Sequence, residues 1–242
     1  MLNIIGIGLS HKNITEEIKE TVKKSDFVYL ENYTSKYDIS INELEEFLDK
    51  KLIIANRSLV ENSNEILEKA KTENVSFLII GDIFMATTHT AIYLEAKKLN
   101  INIKLIHNVS ILNLISNSGL SLYNFGKITS IPFNNENIEE PFKVLEENKK
   151  MNLHTLFLLD LDPENNKYMT IDQALKYLSK KIDSEEYVIA YSALGTDKQE
   201  IKYDKMKNLI NIKFDKFPQC LVIPGKLHFM EQEILETIKN DK

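Results

Sequence analysis

The chain has 242 residues, 43% of them hydrophobic, which is enough for one large domain or two small ones with a real core. Acidic residues outnumber basic ones by 36 to 30, so the net charge of −6 gives no support to binding along a nucleic-acid backbone. No apolar run approaches the roughly 18 residues that span a bilayer. The N-terminus reads as a strand rather than a signal peptide. The only cysteine, Cys220, excludes an intrachain disulfide and favours a reducing, cytoplasmic setting.

In the first half of the chain, strand-like and helix-like segments alternate. The predicted strands are continuous apolar runs, at 2–8, 26–30, 51–55, 75–80 and 103–106. The predicted helices carry apolar residues on one face, at 15–24, 40–48, 65–71 and 87–99. Strands that alternate with helices and lack polar alternation are typical of a parallel sheet covered on both faces. The fold class is therefore predicted as α/β.

The second half has more strands and fewer helices. Ser110 is expected to begin a short helix, and a capping box at Thr170–Gln173 predicts another. Predicted strands lie at 128–133, 153–161, 187–191, 209–214 and 220–223. This order favours a second α/β domain with a mixed sheet. The two domains are predicted to comprise residues 1–107 and 108–242.

Two glycine-containing turns follow predicted strands. Gly6 and Gly8 end the first strand, but the complete GxGxxG pattern needs a glycine where His11 stands, so a nicotinamide site is disfavoured. Gly81 and Asp82 end another strand. The simpler interpretations are a tight turn without ligand at Gly6 and Gly8 and a helix cap at Asp82. In open parallel sheets, ligands bind beyond the carboxyl ends of the strands. Two such turns at one sheet edge favour a ligand pocket.

Threonines and a histidine cluster at the start of the helix predicted after Asp82. Thr87, Thr88 and His89 do not suggest a nucleophile site, because no GxSxG elbow is present. A zinc site is also disfavoured, since the positions three and four residues after His89 are Ile92 and Tyr93. The threonines are expected to satisfy backbone N–H groups at the helix start.

Several motifs, taken together and with their spacing, resemble diphthine synthases. They are GIGL at 6–9, GD with ATTHT at 81–90, IHNVSI at 106–111, LYNFGK at 122–127, LHTLFLLD at 153–160 and IPGKLH at 223–228. The resemblance covers residues 1 to about 235. The ATTH and PGKLH elements are specific to that group, whereas GxG and GD also occur in other tetrapyrrole methylase-like enzymes.

The resemblance implies two α/β domains that bind S-adenosylmethionine in the cleft between them, in a cytoplasmic homodimer. It implies methylation of the amino group of a modified histidine, 3-carboxy-3-aminopropyl-histidine, on translation elongation factor 2. The products would be diphthine and S-adenosylhomocysteine, and no metal is implied. The short second half and the IPGKLH ending resemble archaeal members, which add three methyl groups. Eukaryotic members add a fourth as a methyl ester.

The resemblance also implies which residues contact the cofactor. By matching position they are Leu9, Asp82, Met85, Ser110, Ile111, Leu159, Leu194 and Gln219. Three positions depart from the family pattern: Ile83 replaces a proline, Gln219 replaces a histidine of many archaeal members, and Leu194 lies in an unusual SALGT segment. Asp82 is expected to pair with the ammonium of the cofactor. No catalytic side chain is predicted, because a fraction of the acceptor amine, about one tenth, is neutral at pH 7.

Two alternatives remain open from the sequence. One is another enzyme of the tetrapyrrole methylase-like group that acts on a tetrapyrrole or on ribosomal RNA. The acidic balance disfavours the RNA version, and the ATTH and PGKLH elements disfavour both. The other is a cofactor-binding protein without catalytic activity, which the departures at Ile83 and Gln219 leave possible.

Overall fold

The computed structural model describes residues 1–85 and 87–240, without the side chain of Thr87. The chain divides into two compact units. The first comprises Met1–Ile111 and Pro163–Asn165, and the second contains the remainder. Within the described residues, no helix has both the length and the apolar character needed to cross a bilayer.

The first unit is a parallel five-stranded sheet with helices on both faces, which confirms the predicted parallel sheet. Its strands are β1 (Leu2–Gly6), β2 (Phe27–Glu31), β3 (Ile53–Ala55), β4 (Val75–Ile79) and β5 (Ile103–Ile106). They lie in the order β3-β2-β4-β1-β5, and every pair is parallel. The helices are α1 (Glu16–Lys23), α2 (Ile41–Leu48), α3 (Arg57–Glu61), α4 (Asn64–Thr72) and α5 (Thr87–Lys98).

The strands of the first unit read as continuous apolar runs because both of their faces are buried. Ile4 and Ile5 are neighbours in β1, and neither is exposed. Ile5 packs in a cluster with residues of α1 and α2, whereas Ile4 packs in a cluster with residues of α3, α4 and α5. Successive side chains of a strand point to opposite faces, so an unbroken apolar run predicts helices on both sides.

Local capping begins the helices where the sequence indicates. Thr15 Oγ1 accepts a hydrogen bond from the backbone N–H of Ile18 at 3.3 Å, which starts α1. Ser40 and Glu43 exchange hydrogen bonds in a capping box, because the Ser40 N–H donates to Glu43 Oε2 at 2.8 Å. These contacts satisfy N–H groups that have no partner within the first turn of a helix.

The second unit contains a five-stranded mixed sheet, as predicted. Its strands are β6 (Thr129–Ile131), β7 (Thr155–Leu159), β10 (Tyr187–Ser192), β11 (Glu200–Lys205) and β12 (Gln219–Ile223). The order is β11-β10-β12-β7-β6; only β6 and β7 are parallel. Two short strands, β8 (Leu161–Asp162) and β9 (Lys167–Tyr168), form a separate ribbon. The remaining helices are α6 (Ile111–Leu114), α7 (Glu140–Lys150), α8 (Ile171–Leu178), α9 (Met206–Leu209) and α10 (Phe229–Asn240).

The strand predicted at 209–214 is wrong. Leu209 ends the short helix α9, and the chain then continues without regular structure while Leu209 and Phe214 pack into the core. The strand that pairs with β10 is β11, whose sequence EIKYDK is mostly polar. It lies at the edge of the sheet, where its charged side chains are half-buried, and charges on an edge strand disfavour pairing with other chains. The apolar residues at 209–214 are therefore buried residues of a short helix and a loop rather than of a strand. The edge strand β11 was missed because its sequence is polar.

Candidate functional site

The loops that follow β1, β4 and β5 meet at the carboxyl edge of the first sheet. β1 lies between β4 and β5, so these loops emerge side by side. Gly8 and Gly81 exchange backbone hydrogen bonds, at 3.1 Å from the Gly8 N–H and 2.9 Å from the Gly81 N–H. The two predicted glycine turns are thus joined to each other directly.

Gly6 forms the floor of this junction. A Cβ atom at Gly6 would lie 2.7 Å from the carbonyl oxygen of Gly81, 3.1 Å from Cα of Asp82 and 3.2 Å from Cβ of Asn108. The loops after β4 and β5 therefore touch across the end of β1, and only glycine leaves room for them. The Asn108 amide fastens the junction, because Nδ2 donates to the carbonyl oxygens of Gly6 at 3.1 Å and Asn13 at 3.0 Å.

The turn after β1 is held by Asn13. Gly8 has a φ of +71°, and a Cβ there would lie 2.4 Å from Cβ of Asn13. The Asn13 side-chain oxygen accepts hydrogen bonds from the N–H groups of Leu9 at 3.2 Å and Ser10 at 3.0 Å. The main chain of this turn is thereby fixed before any ligand arrives.

Asp82 is held by the loop that follows β5. Its Oδ1 accepts a hydrogen bond from the Asn108 N–H at 2.9 Å. The Nδ1 atom of His107 lies 3.1 and 3.2 Å from the two carboxylate oxygens. The Asp82 side chain is 18% exposed and the His107 side chain 62% exposed. The carboxylate is thus oriented but remains partly open to solvent.

Four of the predicted contacts belong to this edge. A Cβ at Gly81 would lie 3.8 Å from Cδ2 of Leu9 and 3.9 Å from Cβ of Ser110, so both side chains border the turn that carries Asp82. Met85 is 49% exposed in the same turn. A fifth predicted residue, Ile111, directly follows the buried Ser110 and is partly buried.

Ile83, where the family resemblance implies a proline, anchors the turn by its burial. The side chain is fully buried in the cluster that contains Ile79 and Ile92. Burying an isoleucine side chain contributes about 1.5–3 kcal/mol, and that contribution is lost if the turn moves. A packed side chain therefore restrains the Asp82 loop where a proline ring would restrict φ.

The hydroxyl and imidazole groups after Asp82 do not form a nucleophile cluster in the part of the chain described. Thr88 Oγ1 accepts a hydrogen bond from the Tyr33 hydroxyl at 3.0 Å. His89 is 1% exposed and packs edge-on against Phe77, with 6.0 Å between ring centroids. The helix-start role predicted for Thr87 falls on a side chain outside the described residues. Among those residues, no group of three or more His, Cys, Asp or Glu side chains could hold a metal ion.

Burial lowers the pKa of His89 to about 4, against a weaker opposing effect of the Ile83 backbone. Between about pH 6.5 and pH 4, His89 is protonated in the unfolded chain but neutral in the folded chain, so the free energy of unfolding falls as the pH falls.

The wild-type protein should lose about 2 kcal/mol of unfolding free energy between pH 7 and pH 5 through His89, and we expect this loss to be absent in His89→Phe. Urea denaturation at several pH values measures it. The control is His228→Asn, which removes an imidazole from an exposed position. Equal slopes in His89→Phe and wild type would contradict the prediction.

The other three predicted contacts lie at one end of the second sheet. Gln219 pairs with Ser192 at the end of β10, and Leu194 follows two residues later. Leu159 ends β7, which pairs with β12 from the other side. Leu159 and Leu194 are 7% and 4% exposed.

The Gln219 side chain is occupied by internal hydrogen bonds. Its Oε1 accepts from the N–H of Ile171 at 2.8 Å, at the start of α8. Its Nε2 donates to the carbonyl oxygens of Phe214 at 3.0 Å and Lys216 at 2.8 Å. The amide thus holds two loops to the sheet, so the side chain has a structural role.

A buried carboxylate joins the motifs of the second unit. Glu231 is 3% exposed, and its oxygens accept hydrogen bonds from the N–H groups of Ser121 and His228, each at 2.8 Å. Oε1 also lies 3.3 Å from Nε2 of His154, whose Nδ1 accepts from the Gly225 N–H at 2.9 Å. Neutral His154 therefore carries its proton on Nε2 and donates it to Glu231. Asn124 Nδ2 also donates to Glu231 Oε1 at 3.4 Å, so LYNFGK, LHTLFLLD and IPGKLH are linked through this network.

The charge states in the network follow from its contacts. Burial lowers the pKa of His154, and the opposing effect of Glu231 does not reverse this. Burial alone raises the pKa of Glu231, but the N–H groups of Ser121 and His228 and the His154 ring outweigh it, and the pKa is lowered. The pair is thus an ionised carboxylate surrounded by donors, with a neutral imidazole.

With this geometry established, comparison with known proteins identifies the class. The chain belongs to the tetrapyrrole (corrin/porphyrin) methylases, whose family model matches residues 1–210. It is 37% identical to the diphthine synthase of Methanococcus maripaludis, with 98% of each chain covered. It is also 37% identical to the diphthine methyl ester synthase of Dictyostelium discoideum, over 100% of this chain and 99% of the relative.

A solved structure agrees with these relatives. A crystal structure of diphthine synthase superposes with a TM-score of 0.92 at 35% identity, covering 99% of this chain and 96% of the other. Within the methylases, the chain is a member of the diphthine synthase family of methyltransferases. The resemblance drawn from the motifs is thereby confirmed.

His107 and Asn108 were not predicted from the sequence as partners of Asp82. Adjacency of the loop after β5 to Asp82 depends on the strand order, which the sequence does not show. If the order β4-β1-β5 were known, the absence of a side chain at Gly6 would indicate that the loops after β4 and β5 come into contact above it.

Proposed function

We propose that the chain transfers methyl groups from S-adenosylmethionine to the amino group of 3-carboxy-3-aminopropyl-histidine on translation elongation factor 2, forming diphthine. The observation that carries the proposal is similarity to diphthine synthases over essentially the whole chain. The edge of the first sheet at Gly6 and Asp82 supports it, because the Asp82 carboxylate is complementary to the ammonium group of the cofactor.

The residues at this edge fit the cofactor in charge and shape. Asp82 is an oriented carboxylate that would accept hydrogen bonds from the ammonium of the cofactor. Leu9 and Met85 offer apolar surface, and Ser110 and Ile111 border the same turn. The family resemblance implies that Leu159, Leu194 and Gln219 also contact the cofactor. At Gln219 we propose a backbone contact, because the side chain is occupied by internal hydrogen bonds.

The residues around Gly6 and Asp82 contribute binding and orientation. S-adenosylmethionine, when bound, supplies a methyl group that is already activated on a cationic sulfur. The acceptor amine attacks only in its neutral form, and its pKa in water is about 8. The tightly joined loops around Gly6 hold Asp82 rigidly, and rigid placement of the reacting groups can contribute about 7–11 kcal/mol to a barrier reduction.

We propose that the enzyme is a cytoplasmic homodimer whose macromolecular partner is elongation factor 2, with no nucleic-acid or membrane partner. The resemblance to the family supports the homodimer, and the net charge of −6 supports the absence of nucleic acid. Light scattering coupled to gel filtration tests the dimer: a monomer mass at micromolar concentration would contradict it.

The function is tested with purified protein, methyl-labelled S-adenosylmethionine and elongation factor 2 that bears the unmethylated intermediate. We expect label on the factor and none on a tetrapyrrole or on ribosomal RNA. Label on either of those, with none on the factor, would overturn the proposal. Absence of label on all three would favour a cofactor-binding protein without catalytic activity.

The number of methyl groups distinguishes two forms of the reaction. We propose trimethylation, as in archaeal members of the family, because the IPGKLH element at 223–228 resembles theirs. The Dictyostelium discoideum relative is named a diphthine methyl ester synthase and is as similar as the archaeal one. Mass spectrometry of the modified peptide decides between three methyl groups and a fourth, alkali-labile one.

Replacing Asp82 by asparagine is expected to weaken cofactor binding. A hydrogen bond to a charged group contributes about 1.5–3 kcal/mol, so the dissociation constant should rise about 10- to 100-fold. Isothermal titration calorimetry with S-adenosylhomocysteine measures it. The matched control is Asp49→Asn, the same chemical change at an exposed helix end. Unchanged affinity in Asp82→Asn would remove this residue from the proposed site.

A further inference from the structure

His107 and Asp82 form a pair in which the carboxylate is mostly buried and the imidazole is mostly exposed. The Asn108 N–H holds Asp82 Oδ1 at 2.9 Å, and His107 Nδ1 faces both carboxylate oxygens at 3.1 and 3.2 Å. A carboxylate accepts hydrogen bonds, so the neutral imidazole carries its proton on Nδ1. Nε2 is then left as the proton acceptor of the ring.

The surroundings of His107 restrict the ring without occupying Nε2. The Phe84 ring packs edge-on against it at 6.3 Å between centroids, and Tyr93 of α5 packs against Phe84 at 5.5 Å. Asp82 is the ionisable group in contact with the ring; Lys97 of α5 lies over the far aromatic, Tyr93. Among the described residues, Nε2 has no hydrogen-bond partner, and 62% of the side chain is exposed.

The proposed reaction generates protons at the acceptor nitrogen. An amine with a pKa of about 8 is about nine-tenths protonated at pH 7, and it must lose a proton before it can attack. Each methylation short of the last returns a charged nitrogen that still carries a proton. Repeated methylation therefore needs repeated proton removal at one place, which is the task of a general base.

We propose that His107 is this base, held by Asp82, and this inference rests on the proposed function. In the step, an N–H bond of the acceptor ammonium breaks and its electron pair stays on the amine nitrogen. A new N–H bond forms at Nε2 of His107. The resulting imidazolium is stabilised by the Asp82 carboxylate, and the exposed ring then releases the proton to water.

A second histidine and aspartate pair in the same unit, His11 and Asp38, has a less exposed imidazole. His11 Nδ1 lies 2.7 Å from Asp38, but Asp38 also accepts hydrogen bonds from the Ser10 hydroxyl at 2.7 Å and the His11 N–H at 3.0 Å. The His11 side chain is 30% exposed and packs against Phe47. This pair clamps a turn, which makes His11→Gln the matched control.

The test compares His107→Gln, His11→Gln and wild type by single-turnover methylation of elongation factor 2 across pH 6–9. We expect His107→Gln to be about tenfold slower at pH 7, where only about one tenth of the amine is neutral, and to approach wild type at pH 9. Partly methylated product should accumulate in this variant at low pH. His11→Gln should retain the wild-type profile.

Two further measurements do not depend on turnover. Nitrogen-15 NMR of the cofactor-free protein should show His107 protonated on Nδ1, and this tautomer preference should be lost in Asp82→Asn. Calorimetry should show unchanged S-adenosylhomocysteine affinity in His107→Gln. A rate deficit independent of pH, or a parallel loss of affinity, would overturn the assignment of a base. Wild type that fails to label elongation factor 2 would instead refute the proposed function and leave the NMR result to stand alone.

Discussion

Glu231→Ala is expected to lower the free energy of unfolding by about 3–5 kcal/mol, because a buried carboxylate with several donors cannot be removed without leaving them unpaired. The N–H groups of Ser121 and His228 and the Nε2–H of His154 would each lose an acceptor. Glu231 stabilises the fold by accepting hydrogen bonds from these donors. It does not form an ion pair with His154, because that imidazole is neutral.

Urea denaturation followed by circular dichroism measures the effect of Glu231→Ala. The matched control is Glu233→Ala, which removes the same side chain from an exposed position of the same helix, α10. The control should change stability by no more than about 0.5 kcal/mol. If both variants lost the same small amount, the network would contribute nothing beyond helix propensity.

Gly6→Ala is expected to abolish measurable cofactor binding. The new Cβ would lie 2.7 Å from the Gly81 carbonyl oxygen, and backbone on both sides has no free rotation by which to escape. The loops after β4 and β5 must separate, which breaks the hydrogen bond from the Asn108 N–H to Asp82. Misplacement by about 1 Å can cost a hundredfold in activity, so methylation should fall at least that far.

The comparison for Gly6→Ala is Gly119→Ala in the second unit. A Cβ there would lie 2.5 Å from Cγ2 of Ile234, so this variant is also strained. Calorimetric affinity for S-adenosylhomocysteine should be lost in Gly6→Ala and retained in Gly119→Ala, under conditions where circular dichroism shows both folded. Equal affinities in the two variants would show that the loop junction does not shape the site.

The motifs that identified the family have two different physical origins. GIGL, GDIF and IHNVSI place glycines and polar groups where three parallel strands end, so they describe the candidate site. LYNFGK, LHTLFLLD and IPGKLH meet at His154 and Glu231, so much of their pattern serves the fold of the second unit. The exposed Lys226 belongs to a loop anchored on both sides, by the Gly225 N–H and the His228 N–H.

Departures from the family pattern are explained only by packing. At Ile83, burial of the side chain restrains a turn that a proline ring would otherwise restrict. At Gln219, the amide makes three internal hydrogen bonds that hold α8 and the loop at 214–216. Neither departure removes a group from Asp82, so neither supports the interpretation that the chain lacks catalytic activity.

The sequence by itself determined the parallel sheet, its helices other than α3, and the turns at Gly8 and Asp82, because apolar periodicity and capping are local properties. It also determined the family, because motif spacing is a property of the chain alone. It failed at 209–214 and at β11, where an apolar loop is buried and a polar strand lies at the sheet edge. The pairing of Asp82 with His107 and Asn108 was decided only by tertiary structure. His107 and Asn108 follow Asp82 by 25 and 26 residues in the sequence, and the strand order brings their loop next to Asp82 above Gly6.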